Sequence, residues 1–181
     1  MSVCMQLVTA MAQAKNAGHL GVFTVQDLAY LVHRPVDQAF RQLLSRCIKS
    51  SPIERVAQGL YMNTLSPPDH VHRLELIAGL LRHEHFNYVS LETELSRVGA
   101  ISQVMFDYLC VMTTGRSGIH KTVFGTIEFT HTSKDVQALK DHLYYDPDIS
   151  MFRATPELAL RDLRRVGRNL DMVSEEYLSA D

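Results

Sequence analysis

The sequence is short of the residues and runs that define several common protein classes. Only three of its 181 residues are cysteine. Cys4, Cys47 and Cys110 are odd in number and widely spaced, which fits neither a disulfide framework nor a CxxC metal or redox motif, so the reading is three reduced, mostly buried thiols. Proline and glycine occur only 6 and 9 times, which excludes a fibrous or low-complexity chain. With 46% hydrophobic and 21% charged residues the composition is that of a globular protein, not a disordered one. No run approaches the ~20 apolar residues of a membrane-spanning helix. The beginning, Met1-Ser2-Val3-Cys4-Met5-Gln6, lacks the charged and then apolar layout of a signal peptide. The expectation is a soluble cytoplasmic protein with no membrane partner.

Catalytic motifs are missing too. There is no G-x-G-x-x-G, no phosphate-binding loop, no G-x-S-x-G and no acid-x-Lys spacing, so no catalytic residue, cofactor or enzymatic activity is assigned. His70 with His72, and His83 with His85, stand two apart, whereas paired ligands on a helix need a spacing of about four; no metal site is assigned. The turn Gly115-Arg116-Ser117-Gly118 reads as a hairpin connection, with anion binding through its backbone amides as the sharper alternative.

What the chain does have is an uneven charge. Its net charge is −2, but residues 1–63 carry Lys15, Arg34, Arg41, Arg46, Lys49 and Arg55 against Asp27, Asp37 and Glu54, a net +3, and the remainder is −5. Phosphate responds to such local distribution and not to the total. The break falls at Asn63-Thr64-Leu65-Ser66-Pro67-Pro68-Asp69, rich in turn formers. The domain reading is therefore 1–63, a linker at 64–69, and 70–181.

Helical spacing of Val3, Leu7, Ala10, Met11 and Ala14 predicts a first helix. Thr24 as N-cap with Asp27 in the first turn opens a second. Pro35 is expected as the first residue of a third, with Val36, Ala39, Phe40, Leu43 and Leu44 as its apolar stripe. The polar side of that third helix holds Asp37, Gln38, Arg41, Gln42, Ser45 and Arg46. Ile53–Val56 and Leu60–Met62, around Ala57-Gln58-Gly59, read as two strands of a hairpin. Three helices and a hairpin predict a winged helix-turn-helix, whose second helix of the pair enters the major groove. The candidate DNA-binding residues are Arg34, Gln38, Arg41, Gln42, Ser45 and Arg46, with Arg55 and Gln58 on the wing. Arginine suits phosphate and guanine, and glutamine suits adenine; the plain alternative is a solvated helix face.

The second part reads as a mixed helix and antiparallel-sheet domain, so the fold class is α+β. Val71–Leu81 is an expected helix and Ser90 the N-cap of another, Leu91–Val98, ended by Gly99. Met105–Met112 and Lys121–His131 are expected strands, the latter half-buried and antiparallel. Thr155, Pro156 and Glu157 start a last helix. On it Ala159, Leu163, Val166 and Leu170 make an apolar side opposite Arg161, Arg164, Arg165 and Arg168. Those arginines are either a solvated face partly neutralised by acids such as Asp162 and Asp171 or a docking surface for RNA or an acidic partner.

In order along the chain, Gly21-Val22-Phe23-Thr24, Gly59-Leu60-Tyr61, Tyr88-Val89-Ser90-Leu91, Gly125-Thr126-Ile127-Glu128-Phe129-Thr130-His131 and Ala154-Thr155-Pro156-Glu157-Leu158-Ala159-Leu160 with Asp162-Leu163 resemble the AbiEi-type antitoxins of bicistronic abortive-infection systems, classed as type IV toxin-antitoxin modules. The resemblance spans nearly the whole chain. It implies a winged-helix domain that binds inverted repeats in its own promoter and represses it. It also implies a C-terminal domain opposing, directly or indirectly, a nucleotidyltransferase-type toxin, in phage defence. Arg161, Arg164, Arg165 and Arg168 fall on the matching terminal helix. Two rival readings stand beside it: a winged-helix transcription regulator with a ligand-sensing or dimerising C-terminal domain, and an interaction module that never meets DNA.

Overall fold

A computed structural model describes residues 2–69, 71–102 and 106–178. The class is α+β, and the chain divides into two units, Met1–Arg73 and Leu74–Asp181. Of the residues named above, Met1, His70 and Met105 lie outside the described residues.

In the first unit, local capping chemistry sets where the helices begin. Helix α1 spans Val3–Asn16 and is capped by Ser2, whose Oγ accepts from the Met5 amide. After strand β1, Phe23–Thr24, comes α2, Val25–Leu31. Thr24 Oγ1 accepts from the Asp27 amide at 3.1 Å and Asp27 Oδ2 accepts from the Thr24 amide at 2.8 Å. This reciprocal box satisfies two amides that a helix start otherwise leaves unpaired. Helix α3, Gln38–Ser50, starts later than expected. Asp37 is extended and its Oδ1 accepts from the Phe40 amide at 2.7 Å. It is therefore the N-cap, Pro35 lies outside the helix, and Asp37 leaves the polar helix side, because a carboxylate that satisfies an orphan amide outweighs the φ preset of proline.

Strands β2, Ile53–Ala57, and β3, Leu60–Asn63, form the expected hairpin around Gln58 and Gly59. Strand β1 adds to β3, giving an antiparallel sheet in the order β1-β3-β2. Leu7, Met11, Leu28, Phe40, Leu44 and Cys47 form the buried centre of this unit. The expectation of three reduced thiols is corrected here. Cys4 and Cys47 are joined in a disulfide between α1 and α3, and Cys110 is the free cysteine among the described residues. Cys4 shares a helix face with Leu7 and Met11 and so meets Cys47 across the core, with Cα atoms 5.2 Å apart, within bridging range.

The proline-bearing segment after β3 belongs to this unit and is fastened to it. Buried Asn63 donates through Nδ2 to the Val8 carbonyl at 3.1 Å and accepts from the Leu65 amide. Lys15 Nζ donates to the Pro67 carbonyl and pairs with Asp69 at 3.2 Å.

Helix α4, Arg73–Leu81, starts at the last residue of the first unit, and the second unit continues with β4, Asn87–Val89; α5, Leu91–Arg97; β5, Tyr108–Thr113; β6, Gly118–Thr122; β7, Gly125–His131; α6, Val136–Leu139; β8, Leu143–Asp146; β9, Met151–Ala154; α7, Pro156–Val166; and α8, Glu175–Leu178. Its sheet has the order β6-β7-β5-β4-β9-β8. The antiparallel expectation is corrected: β5 with β7 and β4 with β9 run parallel, and the other neighbours are antiparallel. The expected strand Lys121–His131 is two strands. Thr122 Oγ1 accepts from the Phe124 amide at 3.0 Å and donates to the Gly125 carbonyl at 2.9 Å, closing a hydroxyl-stabilised turn. Helices α5 and α7 cover one face over a core that includes Tyr88, Leu91, Leu95, Met112, Leu158 and Leu163.

Asp162, expected as a neutraliser of the arginine face, is fully buried on α7. It accepts from Tyr88 Oη and Ser90 Oγ, each at 3.0 Å, and pairs with Lys134 Nζ at 3.0 Å. Ser90 thus spends its hydroxyl on α7 and makes no side-chain cap on α5.

Candidate nucleic-acid interface

Helix α3 buries Phe40, Leu44 and Cys47. Those three positions recur every three to four residues, so they fix the rotation of the helix and turn the opposite side to solvent. Gln38, Arg41, Gln42, Ser45 and Arg46 are all exposed on that opposite side. Arg34 is exposed in the turn between α2 and α3, where its amide donates to the Ala29 carbonyl at 2.9 Å. On the hairpin, Gln58 is exposed beside Gly59 at the tip, and Arg55 is exposed at a register irregularity between Arg55 and Ala57. Arg55 Nε donates to the Ala57 carbonyl at 3.2 Å, which holds the side chain against its own strand.

None of Arg34, Arg41, Arg46 and Arg55 makes an ion pair with a carboxylate among the described residues. Their charge is left for an external anion. Residue reasoning missed Lys49, which is exposed in the last turn of α3, four residues after Ser45 and eight after Arg41. The same helical spacing that selected Arg41 and Ser45 selects Lys49. Asp37, the acid expected on this surface, is tied down by its capping bond.

The C-terminal arginines are not one group. Helix α7 opens as expected, with Thr155 Oγ1 accepting from the Leu158 amide and Pro156 in the first turn, but it closes at Val166. Gly167 has φ 73°, a left-handed cap that a side chain disfavours. Arg168 and Leu170 therefore lie beyond the helix. Arg168 turns onto two carboxylates, with Nε 2.9 Å from Glu92 Oε1 and Nη1 2.5 Å from Glu128 Oε1. The bond to Glu128 leads the causes that hold its guanidinium charged well above the ordinary arginine range. Burial opposes the charge on Glu92, yet hydrogen bonds from Arg168 and Asn169 outweigh it and lower that carboxyl below its usual range. Arg161, Arg164 and Arg165 remain exposed on α7, and Arg165 Nη2 donates to the His131 carbonyl at 3.2 Å.

No family model, curated protein or solved structure matches the chain.

Its functional reading therefore rests on the residues themselves. Among the described residues no group of three or more His, Cys, Asp and Glu side chains could hold a metal ion, and no helix is long and apolar enough to cross a membrane. The exposed side of α3 and the hairpin tip provide guanidinium, ammonium and amide donors with few acids among them, an arrangement able to bind a polyanion and to read base edges.

Proposed function

We propose that this chain is a non-enzymatic, cytoplasmic antitoxin that represses its own promoter. In this reading the first unit is a winged helix-turn-helix, with α3 as the recognition helix and the β2–β3 hairpin as the wing. The observation that carries it is the exposure of Gln38, Arg41, Gln42, Ser45 and Arg46 on a helix whose opposite side is fixed in the core, with Arg34 exposed in the turn before it and Arg55 and Gln58 exposed on the hairpin. The net charge of +3 on residues 1–63 supports it, as phosphate contacts supply most of the sequence-independent affinity for DNA. The target is promoter DNA with inverted repeats. The second unit opposes a nucleotidyltransferase-type toxin, directly or through shared RNA, and the exposed Arg161, Arg164 and Arg165 are the surface assigned to that task.

The test is a gel-shift titration on the chain's own promoter region. Arg41→Ala or Arg46→Ala is expected to weaken binding by about 1–3 kcal/mol where the side chain reads a base, and less where it meets a phosphate. Circular dichroism stays as in the wild type, because both side chains are exposed. Wild-type affinity in both variants removes α3 from the interface.

A further inference from the structure

Within the second unit, a cleft of about 540 Å³ opens between the end of α4, the β5–β6 turn and the end of β7. That volume falls within the ~300–1,000 Å³ usual for small-molecule sites. Its walls carry Arg82 and His85 from one side, Thr114 to Ser117 from the turn, and His131 from the strand. Among the described residues no carboxylate lines it.

The donors in this cleft outnumber the acceptors. Arg82 is laid over the Phe129 ring, 4.9 Å from its centroid, and reaches the Arg116 carbonyl and His120 Nε2 through Nη2 at 3.4 Å each. Its Nε is buried and has no hydrogen-bond partner among the described residues. That atom is closed to solvent, so the donors that Arg82 offers the cleft are its terminal N–H groups. His120, which accepts from Arg82, is depressed below the usual histidine range by burial and by the Arg82 charge, which favours the neutral ring that accepts from Arg82. Neither Arg82 nor Arg116 forms an ion pair among the described residues.

The hydroxyls point to the same ligand chemistry. Thr114 Oγ1 accepts from the Phe86 amide at 3.1 Å and Ser117 Oγ accepts from the His131 amide at 2.8 Å. With an amide already occupying a lone pair, each hydroxyl proton is left to donate. His131 Nδ1 lies 2.8 Å from the Gly115 carbonyl and donates to it, which fixes the ring. Gly115 has a packing reason: a Cβ there would stand 2.7 Å from the His85 ring. The glycine lets that imidazole close over the turn.

We propose that this cleft binds the phosphate group of a small phosphorylated ligand. Two guanidinium groups and two hydroxyls supply more donors than the two oxygens of a carboxylate can accept, whereas a phosphoryl group offers three oxygens and up to two negative charges. All of its lining residues belong to the second unit, and the proposal holds whether or not the chain represses a promoter.

The test uses the full chain and pyrophosphate as probe, followed by isothermal titration calorimetry, with adenosine monophosphate, adenosine, citrate and a short single-stranded oligonucleotide in parallel. Saturable one-to-one binding of pyrophosphate is expected, with adenosine monophosphate also bound and adenosine not. Arg116→Glu, on an exposed side chain, should reduce affinity at least tenfold with an unchanged circular dichroism spectrum. Gly115→Ala should weaken binding by displacing His85 while leaving Arg116 in place. Absence of saturable pyrophosphate binding overturns the proposal, as does undiminished affinity in both variants. Citrate binding more tightly than pyrophosphate overturns the phosphate assignment, and an oligonucleotide that displaces pyrophosphate from the wild type but not from Arg116→Glu overturns the small-ligand assignment.

Discussion

Asp162 shows how one side chain can join a helix to a sheet. Its carboxylate has no exposure and satisfies a phenol, a hydroxyl and an ammonium at once. Burial first, and then the Asp162 charge, push the Tyr88 phenol far above its usual range, so it stays a donor. Asp162→Ala strands two buried hydroxyls and a half-buried lysine; breaking a buried pair typically costs about 3–5 kcal/mol, and the partial exposure of Lys134 argues for the lower end. Urea denaturation should show that loss, with Asp162→Asn retaining part of the stability. A second residue-scale expectation concerns Cys110, whose thiol burial, helped by the Glu92 charge, pushes up to about 12. Below the ordinary thiol value near 9 both folded and unfolded chains hold the proton. Above it the unfolded chain releases the proton first, so stability falls from about pH 9 to about pH 12, by up to ~1.4 kcal/mol per pH unit for one group. Denaturation midpoints measured across that range should fall less steeply in Cys110→Ala.

At the scale of elements, the end of α7 divides the four arginines into two roles. Reversing Arg161, Arg164 and Arg165 to glutamate changes exposed positions opposite buried Ala159 and Leu163, so it should spare the fold and impair rescue from the cognate toxin. Co-expression growth assays at matched protein levels check it, and full rescue returns this face to a solvated one. Arg168→Glu has a different expected outcome. It removes the cation shared by Glu92 and Glu128 and adds a third negative charge, which should lower the thermal midpoint sharply. The disulfide between α1 and α3 acts on the element scale as well. Closing a loop across a sequence separation of 43 residues removes roughly 4 kcal/mol of unfolded-state entropy. Thiol titration of the denatured, unreduced chain should count one thiol and the reduced chain three, and reductant should lower the unfolding temperature. Cytoplasmic thiol pools disfavour such bonds, so the same titration on protein quenched in cells reports which form operates there.

For the whole molecule, the charge break coincides with the division into units: Met1–Arg73 is +3 and Leu74–Asp181 is −5. If the first unit alone carries the phosphate contacts, removing residues 74–181 should leave the salt dependence of promoter binding unchanged. The log-log slope is expected to be about −0.9 for each phosphate neutralised. A slope near zero in the full chain favours an interaction module over a repressor. The boundary itself matters to the design of that truncation. Pro67 and Asp69 bond to Lys15, so a cut after residue 63 removes both contacts from α1.

Features that act within one or two helical turns were legible in the sequence. The Thr24–Asp27 box, the Thr155–Pro156 start, the hairpin at Gln58–Gly59 and the exposed side of α3 depend on groups three or four residues apart, and spacing alone reveals them. Even locally, competition decided one start: Asp37 captured the Phe40 amide and moved α3 past Pro35. Features that depend on distant partners were decided only by the tertiary structure. The parallel pairing of β5 with β7, the bond from Cys4 to Cys47 and the burial of Asp162 each join segments whose proximity no periodicity encodes. Arg168 looked like its three neighbours because a repeating charge reports only its own helix; Gly167 ended that helix, and Glu92 and Glu128, far away in sequence, supplied the partners that changed its role.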